Sequence, residues 1–202
     1  MKIIIVGAFH EFIELAEEAG HEIVGLIDNL KKGDYFGYPI ICSDSEIDIH
    51  LENTKYLPLV ISPDKPEVRE KLYQFYWSKG FSFAQLIAKN AKISSSAEIG
   101  KGVVIQYGAH LSSMARLGNF VKLNTNANIM HDVDIDQFTT VAPNAVVLGH
   151  VKIGKSCYIG ANSTILPTIC IGDNAIIGAG AVVNKDVEPN STYVGVPAKR
   201  IK

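Results

Sequence analysis

The chain has 202 residues, 47% of them hydrophobic, with 19 basic and 21 acidic side chains and a formal net charge of −2. That is enough apolar material for one or two cored domains and argues against disorder. Near-balanced charge gives no electrostatic footing for nucleic acid, and no apolar run is long enough to cross a bilayer. The opening Met1-Lys2-Ile3-Ile4-Ile5-Val6-Gly7 is too short for a secretory signal, so a cytoplasmic protein is expected. Cys42, Cys157 and Cys170 are odd in number and scattered; the latter two fall on repeat positions, which favours buried reduced thiols over a disulfide or a metal site.

Lys2–Val6 is a continuous apolar strand, followed by Gly7-Ala8 and a helical stretch near Glu11–Ala19 with Phe12, Leu15, Ala16 and Ala19 on one face. Gly20 ends that helix. A second strand spans Glu22–Asp28, a third Lys55–Ile61, and Pro63 opens a helix running to about Lys79 with Val68, Leu72, Phe75 and Tyr76. Strand and helix alternate, which predicts a small parallel α/β unit over residues 1–80. Residues 81–92 read as a linker.

From Ile93 to Val183, sixteen consecutive positions spaced six apart hold only Ile, Leu or Val, and the fourth residue after each is small or branched (Ala97, Val103, Ala109 and onward). Neither helix nor simple strand periodicity keeps a register of six. A hexapeptide repeat predicts a parallel β-helix over residues 93–187, three hexapeptides to each eighteen-residue coil and about 25 Å long at a strand spacing of about 4.8 Å. Residues eighteen apart then lie above one another. Asn126, Asn144 and Asn162 form one such column, flanked by Gly108 and Gly180, which marks a corner where the backbone turns left-handed. The repeat carries no insertion, so no loop of the solenoid is available as a lid. Residues 188–202 read as a trailing tail.

The same arithmetic sets out the candidate chemistry. His131 plus eighteen is Gly149, so the imidazole faces a residue without a side chain and an approachable backbone N–H; Asp132 plus eighteen is His150, which sets a carboxylate against a second imidazole. That pattern suits a general base beside an oxyanion donor, and is equally consistent with outward polar residues at a turn. A zinc site from His110, His131 and His150 is disfavoured because the three hold different places in the six-residue frame and start in different directions. His21 and His50 read as solvent-facing loop residues. Gly7-Ala8-Phe9-His10 sits where α/β units bind phosphates, yet it is not GxGxxG, which argues against a dinucleotide cofactor. Asp28 fits a ribose or base acceptor or an ordinary turn. Lys199-Arg200 fits a solvated terminus or a contact to ligand phosphates.

Over nearly its full length the chain resembles the bacterial sugar O- and N-acetyltransferases of the hexapeptide superfamily, in particular those acting on sialic acid or on the 4-amino group of nucleotide-linked amino-sugars. The resemblance is carried by the first strand with Gly7-Ala8, by Phe36-Gly37-Tyr38-Pro39-Ile40, Arg69, Asn124-Thr125 and His131-Asp132, by Leu148-Gly149-His150-Val151-Lys152-Ile153-Gly154, and by Gly195-Val196-Pro197-Ala198-Lys199. It implies a Rossmann-like first domain, a left-handed β-helix, and acetyl transfer from acetyl-CoA within a homotrimer, with no metal. His131 is then the base, Asp132 raises its basicity, and the Gly149 N–H polarises the thioester. Acetyl-CoA is expected against Gln137, Thr140, Ala161 and Ala179, with Lys199 and Arg200 near its phosphates. The sugar nucleotide is expected against Phe9, His10, Asp28, Asn29 and Ser62. The acceptor this implies is a nucleotide-linked amino-sugar; O-acetylation of sialic acid and a non-catalytic scaffold are the alternatives.

Overall fold

The computed structural model describes residues 1–202, except for the side chains of residues 50–53. The first part is a five-stranded sheet in the order β3-β4-β2-β1-β5. Its elements are β1 (Lys2–Val6), α1 (His10–Ala19), β2 (Glu22–Ile27), β3 (Asp34–Tyr35), β4 (Tyr38–Cys42), α2 (Ile47–Thr54), β5 (Leu59–Ile61) and α3 (Pro66–Ser78). β1 pairs parallel with both β2 and β5, as an unbroken apolar strand covered on both faces should. Gly20, left-handed at φ 83°, returns its N–H to the carbonyls of Ala16 and Glu17 and ends α1.

Several expectations need correction. The third expected strand is shorter than Lys55–Ile61 and starts at Leu59; the helix expected from Pro63 begins at Pro66. The β3–β4 hairpin and α2 were not foreseen, because a two-residue strand, a Pro39-interrupted partner and a short, weakly amphipathic helix leave little periodic signal. His50 falls within α2 and not in a loop; its side chain lies outside the described residues. His21 is only half-exposed, and burial followed by the charge of the chain's amino terminus lowers its pKa, against a raising hydrogen bond from the Met1 backbone.

The second part is a three-faced prism of two-residue strands, one every six residues. Face one stacks Leu86–Ile87, Val104–Ile105, Lys122–Leu123, Thr140–Val141, Tyr158–Ile159 and Ile176–Ile177; face two runs from Lys92–Ile93 to Val182–Val183; face three runs from Glu98–Ile99 to Cys170–Ile171. Every rung pairs in parallel with the residue eighteen along, as in His110 with Asn128 and Thr140 with Tyr158. The second residue of each pair points inward, so Leu111, Leu123, Ile129, Val141, Val147 and Ile165 are all at 0% exposure in one continuous core. Stacking begins at Leu86–Ile87, inside the stretch that reads as a linker. The tail does not trail: Thr192–Val194 extends face one beside Ile176–Ile177, and Lys199–Arg200 folds back antiparallel on it.

All three corners, not only the Asn column, turn through left-handed residues. Asn126, Asn144 and Asn162 have φ of 57–58° as the spacing requires, and so do Asp132 (58°), Phe138 (61°) and His150 (62°). Cys170 is exposed, since it is the outward member of its pair on face three; the expectation that it is buried fails, while Cys42 and Cys157 are buried. Among the described residues, no helix is long and apolar enough to cross a membrane.

The α/β unit docks on face one and on the corner between faces three and one. Phe120 and Phe138, eighteen residues apart, stack at 5.3 Å and 8° and receive Tyr73 from α3 at 4.6 and 5.6 Å. Arg69 of α3, 1% exposed, runs through this contact. Its Nε donates to the Phe120 carbonyl at 2.9 Å, Nη2 to the Phe138 carbonyl at 2.5 Å and to Thr140 Oγ1 at 2.9 Å, and Nη1 to the carbonyls of Pro63 and Asp64. Burial lowers its pKa to about 10, with Asp64 pulling the other way, so it stays a cation at neutral pH.

Candidate active site

His131 and Asp132 occupy the corner between faces two and three. The sharp turn brings their side chains together: His131 Nδ1 donates to Asp132 Oδ2 at 2.8 Å. A carboxylate only accepts, so this bond fixes the proton on Nδ1 and leaves Nε2 as the free basic nitrogen of the neutral ring. One coil along, a Cβ built on Gly149 would lie 2.7 Å from Cε1 and 2.8 Å from Nε2 of His131. Any residue but glycine would push the imidazole away. The expected apposition of His131 and Gly149 is thus present. Gly149 itself is buried, and among the described residues its N–H donates to no backbone carbonyl.

His150 stands above Asp132 as the period requires. Its backbone N–H donates to the His131 carbonyl at 3.1 Å, its Nε2 lies 3.9 Å from the same Oδ2, and its ring meets His131 edge to face at 5.1 Å and 86°. The three histidines were expected to start in different directions; His131 and His150 nevertheless meet across Asp132. His110 is elsewhere, with Nδ1 3.2 Å from Asn128 Oδ1. His131, Asp132 and His150 each offer a ligand atom within 4.8 Å of the others, a looser spread than the roughly 3.4 Å between tetrahedral zinc ligands. With Nδ1 of His131 held by Asp132, the cluster reads first as a hydrogen-bonded base.

A cleft of about 540 Å³ opens between the α/β unit and the prism, walled by Gly7, Phe9, Asp28, Lys122, Asn124 and Pro143. Gly7, at φ 88°, turns the chain out of β1, and a Cβ there would strike Ser62 Oγ. Ser62 is buried, its hydroxyl donating to the Gly7 carbonyl at 2.8 Å. Asp28 accepts from the Ala8 N–H at 2.8 Å and from those of Leu30 and Lys31 at 2.9 Å. Burial raises its pKa, but these backbone donors and Lys31 outweigh burial and hold it low. Ser62 and Asp28 line this cleft and also brace the loops around it. Asn29 is exchanged with Asp44 in two hydrogen bonds, at 2.7 and 2.9 Å. Phe9 stays in the wall and His10 lies behind it.

The floor of the cleft was not singled out from the sequence. Lys122 is 3% exposed and ion-paired to Asp64 at 2.9 Å, with its ammonium 4.6 Å from the centre of the Phe12 ring. Burial lowers the Lys122 pKa against the pull of Asp64; burial also raises that of Asp64, but Lys122, Asn124 and Arg69 together outweigh it and leave the carboxyl low. Both stay charged. A lysine at an outward strand position looks solvated until the covering domain is known.

The residues expected to hold acetyl-CoA are dispersed. Thr140 is 0% exposed and spends its hydroxyl on Arg69 and the Asp64 carbonyl, so it is not available on any outer surface. Gln137 lies on a shallow groove of face three with Gly118 and Gly154. Ala161 and Ala179 share the corner between faces one and two. Lys199 is exposed; Arg200 is paired with Glu188 and donates to the Lys202 carbonyl at 3.0 Å. His131 and the cleft are separated by the whole of face two.

A family model for the bacterial transferase hexapeptide (six repeats) matches residues 150–185. No curated protein sequence matches the chain. Among solved structures, the chain is similar to a perosamine N-acetyltransferase, PerB, from Caulobacter crescentus in complex with CoA and GDP-perosamine, with a TM-score of 0.94, 25% identity, and cover of 100% of this chain and 98% of that one. It is also similar to the acetyltransferase domain of PglB from Neisseria gonorrhoeae in complex with acetyl coenzyme A (TM-score 0.93, 27% identity, 99% and 98% covered). WeeI from Acinetobacter baumannii matches at TM-score 0.90 and 28% identity, with 100% of both chains covered.

Proposed function

We propose that this chain, a hexapeptide-repeat acetyltransferase, moves the acetyl group of acetyl-CoA onto the amino group of a nucleotide-linked amino-sugar, with His131 as general base. The observation that carries the reading is the His131 imidazole lying on the bare main chain of Gly149 with Asp132 on its far nitrogen. Nε2 removes a proton from the acceptor amine as nitrogen attacks the thioester carbon. Asp132 stabilises the imidazolium that forms, and the Gly149 N–H receives the charge that develops on the carbonyl oxygen. Collapse of the tetrahedral intermediate breaks the C–S bond, and the proton on His131 passes to the departing thiolate. Because the ring covers Gly149, the carbonyl reaches that N–H only beside the imidazole, where base and acyl donor have to meet.

The amino-sugar acceptor is favoured by similarity, over essentially the whole chain, to PerB bound to GDP-perosamine. The same reading calls for a homotrimer. A cleft on one side of the prism and a base across face two from it cannot serve one substrate within one chain. The cleft of one copy set against the His131 corner of the next can do so.

The test is a thiol-release assay with acetyl-CoA across nucleotide-linked amino-sugars and free sialic acids. Release of CoA with at least one nucleotide amino-sugar, and an N-acetyl product by mass, is expected. Release with sialic acid alone would instead favour O-acetylation, and no release with any sugar would favour a scaffold.

A further inference from the structure

The β3–β4 hairpin is the part of the α/β unit to which the transfer chemistry assigns no task. Its turn residues Phe36 and Gly37 have φ of 53° and 81°. Two positive φ values in succession suit Asn-Gly, and an aromatic residue at the first of them is strained. Phe36 is also 60% exposed, so burial does not explain the choice. The ring is nevertheless held. It stacks on the His10 imidazole at 5.4 Å and 20°, and Tyr35 tilts against it at 4.9 Å. His10 in turn meets Phe9 at 4.9 Å, and Phe9 belongs to the wall of the cleft.

An aromatic path thus runs from the cleft to the hairpin tip, with Phe36 at its open end. Cations flank it. The Lys31 ammonium lies 4.1 Å from the centre of the Tyr35 ring and donates to the Ala8 carbonyl, and Lys32 beside it is exposed. His10 and Ala8 stand where β1 gives way to α1, at the carboxyl ends of the parallel strands, the edge where such sheets take ligands. An open aromatic face with cations alongside is the chemistry that receives a heterocyclic base and its phosphates, since every base has a π-face to stack.

We propose that Phe36, backed by His10, is the stacking surface for the base of the acceptor nucleotide, and that it sets the preference for nucleotide-linked over unlinked sugars. The inference rests on the nucleotide-linked acceptor proposed above. It is tested by titrating the full chain with GDP, UDP and dTDP in a calorimeter, with inorganic pyrophosphate as the control lacking a base, and by running the thiol-release assay on the same proteins. Phe36→Ala should weaken binding of at least one nucleoside diphosphate about tenfold. Phe36→Trp should restore it, and pyrophosphate should bind all three proteins alike. In the assay, the KM for the nucleotide amino-sugar should rise in step while the KM for acetyl-CoA stays put. Equal nucleotide affinity in wild type and Phe36→Ala, with the wild type active on a nucleotide amino-sugar, overturns this inference alone. A parallel loss of pyrophosphate binding would reduce Phe36 to a structural role and overturn it as well. A wild type that neither binds a nucleoside diphosphate nor acetylates a nucleotide amino-sugar overturns both readings.

Discussion

His131→Ala should lower kcat by about 10²–10⁴-fold, the range that a positioned general base contributes. The KM for acetyl-CoA should change little, because the ring meets the donor only at the reacting end. The substitution is a clean one. The His131 side chain is 50% exposed; among the described residues it bonds Asp132 and meets His150 and the Gly149 backbone, so the prism core is untouched and stability should stay within about 0.5 kcal/mol. Steady-state kinetics beside a thermal melt separate the two quantities. A variant that keeps its melting temperature and its kcat would remove the base from the account.

The largest expected loss of stability comes from Arg69→Ala, about 3–5 kcal/mol. The guanidinium bonds both halves at once, through the backbone of Pro63 and Asp64 on one side and of Phe120 and Phe138 on the other. Removing it leaves buried carbonyls without donors and a void beneath the stacked Phe120–Phe138 pair. Arg69→Lys should recover little, since a single ammonium cannot span acceptors that a planar fork reaches from several edges. Hydrogen exchange would show the damage concentrated in α3 and the turn after β5, with coil strands beyond Tyr158 still protected. Unchanged protection of α3 would mean that the aromatic contacts alone hold the domain.

The prism was legible because its rule is rigid. An inward Ile, Leu or Val every six residues leaves no other register, and eighteen-residue stacking then put His131 on Gly149 and Asp132 beside His150 without coordinates. The rule says nothing about which outward face is covered. Thr140 and Lys122 occupy the same place in the hexapeptide as exposed Asp134 and Lys152, yet both lie under the α/β unit. That is why Thr140 was expected at a cofactor and is found bonded to Arg69. Corner residues were legible where they are Asn or Gly. Phe120 and Phe138 adopt the same left-handed backbone because stacking and domain docking outweigh its cost. In the α/β unit, Asp28 and Ser62 have ligand-binding chemistry in sequence, but their hydrogen bonds turn back on the loop at Gly7-Ala8. Nothing in their spacing tells bracing from binding.

The central claim concerns one imidazole and the main chain beneath it, and a crystal structure of the assembled protein with acetyl-CoA tests it most directly. The account predicts the thioester carbon about 3–4 Å from where an amine held by His131 Nε2 would attack, with the carbonyl oxygen in hydrogen-bond reach of the Gly149 N–H. An acetyl group seated away from the His131 corner, with that ring turned to open solvent, would contradict it.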